Sequence, residues 1–386
     1  MADNFTLDSN LLADVYTAAD IVAQEAVGFI PAVRQNLQAT AASKGDTVRA
    51  AFTPDATLVS VDSQSAIPDG STYAISEKSY QLSNHQAMRY AISGEDVKSM
   101  QNNGIYQSIY GDMIAQGMRA IINDIESKLF TEIKNNAGYA TADGGTTAFD
   151  TNLNSIATAR EILTRSGTPT DDLSLVINGT AGVNLRNNTN LLNVNTSGTN
   201  VLREQGILIP VHGFNVYESS QITQHTAGTS NNGYHINNGS GEVAGETTIT
   251  TDAGGGSASG TIIQGDIVTF AGLSESYVVK TALAANDFVL NTGLLSDAAD
   301  DAEITGTVAY TGNFAFHRNA AEFAMRAPAE PVGGDSASEV INVTEPRTGL
   351  VFQVRLYRGY HQNLIEVGAV YGVKAFKPEF ICTIID

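Results

Sequence analysis

The residues of this sequence that could do chemistry are few, and their spacing decides whether they can do it together. His85, His212, His225, His235, His317 and His361 are scattered along 386 residues, and no two stand at a metal-ligand spacing. Each reads as a surface or satisfied core residue. Cys382 lies in the apolar run "FICTII", where the expected role is a small buried hydrophobe, not a nucleophile. The run "SDAADDAE" supplies Asp297, Asp300, Asp301 and Glu303, oxygen ligands of the kind a hard cation takes. It lacks the alternating ligands and central glycine of a calcium loop, so a solvated turn is expected. "GGGSASG", Gly254 to Gly260, has the glycine content of a phosphate cradle, but neither the dinucleotide nor the P-loop spacing, and no helix pattern follows. No GxSxG elbow and no HExxH occurs. The expectation is a protein without catalytic residues, metal or cofactor, and so not an enzyme.

Composition narrows the class further. Lys and Arg number 21 against 41 Asp and Glu, a formal charge of −20. A stable nucleic-acid complex needs a basic patch to neutralise phosphates, so repulsion from DNA is the expected relation. One cysteine gives no disulfide framework, and packing alone must hold the fold, as suits an intracellular origin. The opening "MADNFTLDSNLLADVY" has no basic region followed by an apolar run, and no stretch approaches a membrane span. Asn4, Asn178, Asn195, Asn238 and Asn342 fit the glycosylation sequon, which carries no weight without a signal peptide.

The elements that would have to position any site read as a series of excursions. Leu11 to Gln38 suggests helix interrupted at Pro31. Asp46 to Ser93 reads as strands, "DTVRAAF" and "EKSYQLSNHQAMRYAIS", around the turn-rich "SQSAIPDGST". From Ile105 to Asn135 no proline occurs, and Ile114, Met118, Ile121, Ile125, Leu129 and Ile133 recur every three or four residues, the signature of a long helix with one buried face. Asp150 to Gly167 is a second amphipathic helix, and "LSLVING" a short buried strand. The chain then becomes rich in Gly, Ser, Thr and Asn from Gly228 to Gly260. A period-two β-unit follows, with Val268 and Phe270, Tyr277 and Val279, Phe288 and Leu290 alternating with polar residues. The end of the chain reads as two strands joined at Gly359 to Asn363 and a last strand after Pro378, a sheet packed on the long helix. The fold class is α+β.

This order of elements, together with "NFAFHRNAAEFAMRAPAEP" and "IEVGAVYGVKAFKPEFICTI", resembles the major capsid proteins of tailed bacteriophages with the Hong Kong 97-type fold. The resemblance is closest to short-tailed phage coat proteins with an inserted β-barrel. In that family a strand followed by Ala-Met/Ile-Arg and a proline leads out of the insertion, as Phe323 to Pro328 do here. An aromatic-Gly-Val run before a basic-Pro-Glu step is matched by Tyr371, Gly372, Val373, Lys377, Pro378 and Glu379, and "GDIVTFAG" is similar to the strand that opens the inserted barrel. The resemblance implies an N-terminal arm (1–45), an extended loop (46–93) and a peripheral domain with a spine helix (94–149 and 332–386). It further implies an axial domain (150–220 and 313–331) and an inserted β domain (221–312) that helps the capsid domain fold or sets shell geometry.

On that resemblance the chain is expected to self-assemble, as hexamers and pentamers, into the icosahedral head shell around a phage's double-stranded DNA. The tip of the extended loop supplies the candidate intersubunit contacts, Ile67, Pro68, Asp69, Gly70 and Tyr73. A scaffolding protein and a portal are the implied partners. The DNA is enclosed without sequence-specific binding, and no membrane is involved. The implied place is the virion, after assembly in the bacterial host cytoplasm. Two readings stay open beside it: another phage structural protein, of tail or decoration type, and a hydrolase whose carboxylates hide among ordinary Asp and Glu.

Overall fold

The computed structural model describes residues 26–37, 41–52, 76–102, 106–142, 148–150, 153–192, 202, 205–229, 233–252, 260–345 and 348–385. A single helical turn, Phe29–Ala32, leads into β1 (Arg34–Leu37). β2 (Thr47–Phe52) and β3 (Ser76–Gln81) form an antiparallel pair, and β4 (Asn84–Ser93) follows at once. Two helices come next, Gly94–Asn102 and the long Tyr106–Asn135, then β5 (Tyr139–Ala142). A helix, Asn154–Arg165, leads to β6 (Leu173–Ile177), and Gly179–Asn187 and Thr189–Leu192 are helical before β7 (Asn215–Glu218). Six short strands follow: β8 (Tyr234–Ile236), β9 (Thr248–Asp252), β10 (Ile267–Phe270), β11 (Ser276–Ala284), β12 (Asp287–Leu290) and β13 (Glu303–Gly306). The chain closes with β14 (Asn313–His317), β15 (Ala321–Arg326), β16 (Ala337–Thr344), β17 (Val351–Gly359), β18 (Gln362–Ala375) and β19 (Ile381–Ile385).

The first sheet is organised by β18, which is long enough to hold several partners. β4 pairs along one edge of it, Gln362↔Ser93 to Tyr371↔Asn84, while along the other edge β17 pairs with Gln362 to Gly368 and β15 with Val370 to Ala375, carrying β16 and β1 outward. The long helix lies across this sheet. Ile114, Met118, Ile121, Ile125, Leu129 and Ile133 are buried, the stripe that the three-and-four spacing requires of a helix with one apolar face. Polar groups pin the helix: Tyr371 donates to Asp124, and the Lys374 ammonium stands 3.0 Å from Glu132.

The second sheet runs β10-β13-β8-β9-β12-β11-β5-β19-β14-β6-β7, and β10 also pairs with β11. That extra pairing closes six strands into an antiparallel ring. Closure leaves none of the six with a free edge along its paired length. Period two then sorts the side chains. Val268, Phe270, Tyr277, Val279, Phe288 and Leu290 are all buried with one core cluster, as their alternation requires. Ile267 and Val278, on the opposite faces of β10 and β11, join the core of the long helix. The ring is therefore not free-standing: β11 pairs with β5 through Ser276↔Ala140 and Tyr277↔Tyr139. Gly138 makes this junction possible, since a Cβ there would lie 2.5 Å from the Pro378 carbonyl oxygen.

Four expectations change. Arg34–Leu37 is a strand, not helix, because parallel pairing with β15 satisfies its backbone. The strand expected over 77–93 is two, since β3 stays with β2 whereas β4 joins the first sheet. The last strand does not extend the sheet under the long helix; β19 sits between β5 and β14 in the second sheet. The segment 313–331 divides, β14 entering the second sheet and β15 the first, with a tight turn at Arg318–Ala320 between them.

Candidate functional site

The five residues expected to touch a neighbour, Ile67, Pro68, Asp69, Gly70 and Tyr73, lie outside the described residues. What is described is the root from which their segment leaves. β2 and β3 pair from Thr47↔Gln81 to Phe52↔Ser76, and Thr47, Arg49, Lys78, Ser79 and Gln81 are all exposed. The near end is held by a small core. Ala42, Tyr80, Leu82, Ala324, Val370 and Phe376 form a small separate core there, with Val48 against it, and the Tyr80 ring meets Phe376 edge-on at 5.7 Å. Gly372 lets the hairpin cross β18 closely: a Cβ would meet the Gln81 carbonyl oxygen at 2.6 Å.

Beneath this core lies a polar hub. Glu322, on β15, is buried and accepts from the Tyr80 hydroxyl at 3.1 Å and from Asn36 Nδ2 at 2.9 Å, while Arg34 stands 3.7 Å away. Arg326 donates to Asn36 Oδ1 at 2.9 Å and to the Asn36 carbonyl. Burial, with the Glu322 carboxylate beside it, pushes the Tyr80 phenol far above its usual range. Burial also lowers the Arg326 guanidinium. The hub ties the hairpin to β1 and β15 and fixes the direction in which it leaves.

A second polar group sits where the chain enters and leaves the ring. His225 Nε2 lies 2.8 Å from Asp266 Oδ1, and its Nδ1 lies 3.3 Å from the Lys134 ammonium near the end of the long helix. Lys134 is a donor, so Nδ1 accepts, and Nε2–H then donates to Asp266. The other Asp266 oxygen accepts from the Ile263 amide at 2.8 Å. Tyr310 faces the imidazole at 5.1 Å between ring centres and donates to the Gly265 carbonyl at 2.7 Å. Burial holds Lys134 below the usual lysine range, with Asp266 opposing. A third such group starts the described chain: Glu126, buried on the long helix, accepts from the amides of Gly28, Phe29 and Ile30 at 2.6, 2.7 and 3.1 Å.

Neither the pairing of His225 with Asp266 nor that of Glu126 with residues 28–30 is legible in the sequence. Their partners lie 41 and nearly 100 positions apart, and no local spacing signals such pairs. The other chemistry candidates do not converge. Cys382 is fully buried in β19, where burial pushes its thiol up. His85, His212 and His361 are exposed, and His317 is buried against the Phe380 ring. In the acidic run, Asp297 accepts from the Ala244 amide and Asp300 from the Asn238 amide, so both pin turns. Among the described residues no group of three or more His, Cys, Asp or Glu could hold a metal ion, and no helix is long and apolar enough to cross a membrane. Most of the "GGGSASG" segment lies outside the described residues.

No protein-family model matches the chain, and no curated protein matches it. Solved structures do. The capsid structure of the cyanophage P-SCSP1u is 12% identical, with 94% of this chain and 88% of that chain covered and a TM-score of 0.49. The mature capsid of bacteriophage PhiM1 is 12% identical over 93% and 86%, at 0.47. The virus-like particle from Pyrococcus furiosus is 9% identical over 97% and 99%, at 0.46. Two are phage capsids and the third is a virus-like particle.

Proposed function

We propose that this chain is a major capsid protein that builds the head shell of a tailed phage. The observation that carries the reading is the hairpin β2–β3. It is a two-stranded ribbon whose Thr47, Arg49, Lys78, Ser79 and Gln81 are exposed, and it is anchored at its near end by a core of six residues and the Glu322 hub. Isolated two-stranded ribbons are marginal in water, so such an element is built to be covered by something else. A neighbouring subunit is the cover that repeated self-assembly supplies. The motifs from Phe323 to Pro328 and from Tyr371 to Glu379 support the same reading.

In this reading the hairpin and residues 53–75 lie over a neighbour, with Ile67, Pro68, Asp69, Gly70 and Tyr73 in the contact. The long helix is the spine of a peripheral domain, residues 150–220 approach five-fold and six-fold positions as an axial domain, and the ring is the inserted barrel. One polypeptide tiles hexamers and pentamers by flexing loops about a rigid body. The role is structural, not enzymatic. A charge of −20 per chain gives a wall that repels the enclosed DNA, screened to within about 10 Å at 0.1 M salt. A scaffolding protein and a portal complete the assembly, which takes place in the host cytoplasm.

Removing residues 65–72 tests the contact. The subunit is expected to keep its unfolding free energy within about 1 kcal/mol, since the residues are small and turn-forming. Closed shells should vanish from negatively stained fields. Shells as abundant as those of the unaltered protein would remove the hairpin from the interface.

A further inference from the structure

Where the hairpin, the end of the long helix and the ring meet, a cleft of about 460 Å³ gathers Lys78 from β3, Lys280 from β11 and Lys374 from β18. These are three of the chain's eight lysines, in a protein with twice as many acids as bases. Lys280 is the one cation in residues 221–312, a segment with ten Asp and Glu. No carboxylate is among the cleft's lining residues. Lys374 has Glu132 at 3.0 Å, and Lys78 donates to the Phe376 carbonyl at 2.8 Å, whereas Lys280 is exposed and makes no ion pair among the described residues. Glu132 already meets Lys374, so Lys280 is the cation through which an anion from outside would be held.

We propose that this cleft docks an acidic peptide segment, the Asp297–Glu303 loop of a second copy of this chain. Ala375, Phe376 and Pro378 also line the cleft, which suits a peptide with apolar side chains better than a hydrated inorganic ion. A concavity of this size does not admit a nucleic-acid duplex, and the net charge repels one. The loop has the complementary chemistry. Asp297, Asp300, Asp301 and Glu303 are exposed, and the loop is already held by the Ala244 and Asn238 amides, so little ordering is lost on docking. None of the chain's own loop residues lines its own cleft, so the occupant comes from another molecule. The inference rests on the capsid reading only in requiring that copies meet.

The test uses full-length unassembled subunits and a fluorescent peptide spanning residues 295–304, followed by anisotropy at about 0.02 M salt, where charge contacts are weakly screened. Saturable binding is expected. It should weaken roughly tenfold with Lys280→Glu, and as much when the four acids of the peptide are replaced by amides. In the full chain, Asp301→Lys with Glu303→Lys should slow association, and adding Lys280→Glu should restore it. Thermal unfolding of each variant confirms that these exposed substitutions leave the fold intact. Absent binding, binding indifferent to Lys280→Glu, or a charge swap no better than the single reversals overturns the proposal. Peptide binding without shells removes the capsid reading alone; shells that ignore Lys280→Glu remove this inference alone.

Discussion

The hairpin β2–β3 and the ring of six strands both leave the body of the molecule, and they treat their edges in opposite ways. Each ring strand has two neighbours, so its backbone is paired and its inward residues fill a common core. Each hairpin strand has one neighbour within its sheet, and Thr47, Arg49, Lys78, Ser79 and Gln81 are exposed while Tyr80 and Val48 meet the small core at the near end. The ring also has two different sides. Ile267 and Val278 face the long helix, whereas Thr248, Asp252, Asp287, Glu303 and Thr305 are exposed. An excursion that closes carries its own stability and can be held by one flank; an excursion that stays open draws little stability from its own pairing.

The sharpest break of this contrast is a cavity in the ring. Phe288 is fully buried there, and Phe288→Ala should cost the isolated subunit about 3–5 kcal/mol in urea unfolding. A loss below about 1 kcal/mol would mean that the ring's core does not support the fold, and the contrast with the hairpin would fail.

Glu126 comes next, because it fixes a third departure, that of residues 28–30. Glu126→Ala leaves three buried amides without their acceptor and should cost about 2–4 kcal/mol by the same measurement. Its pH dependence has a definite sign. Burial raises this carboxyl above the usual glutamate range, against the pull of its hydrogen bonds. A carboxyl raised by folding contributes stability that is fully present below its unfolded value, about 4.3, and is lost as pH rises through the folded value. The stability of the wild type relative to Glu126→Gln should therefore fall as pH increases above that point. A difference that grows with pH would show that the three amides outweigh burial.

The smallest effect belongs to the hairpin root. Tyr80→Phe removes one hydrogen bond to Glu322 and leaves the ring packing on Phe376, so the subunit should lose only about 1 kcal/mol. On the proposed function, shell yield should drop more than subunit stability does, because the hub directs a hairpin that carries little stability of its own. Equal losses in both would make the root an ordinary part of the core.

Local pattern was enough for the elements that bury one face against whatever lies nearby. The stripe Ile114, Met118, Ile121, Ile125, Leu129 and Ile133 marked the long helix, observed over Tyr106–Asn135, and the alternation at Val268, Phe270, Tyr277, Val279, Phe288 and Leu290 marked strands with one inward face. The turn after Gly359 was legible too, and its hairpin is β17–β18. Periodicity is a property of neighbours in the chain, so it reports which face is apolar and not what covers it.

What only the tertiary structure decided is which strands share a sheet and which charges share a site. Arg34–Leu37 became a strand because β15 offered its edge, and β19 crossed to the second sheet because β5 and β14 lay open on either side of it. Nothing within a few residues of either segment encodes those edges. His225 and Asp266, Glu126 and the amides of 28–30, and the lysines at 78, 280 and 374 meet for the same reason. A polar side chain is written in the sequence alone, but its desolvation and its partner arise only when distant elements pack, and those two quantities decide what the charge does.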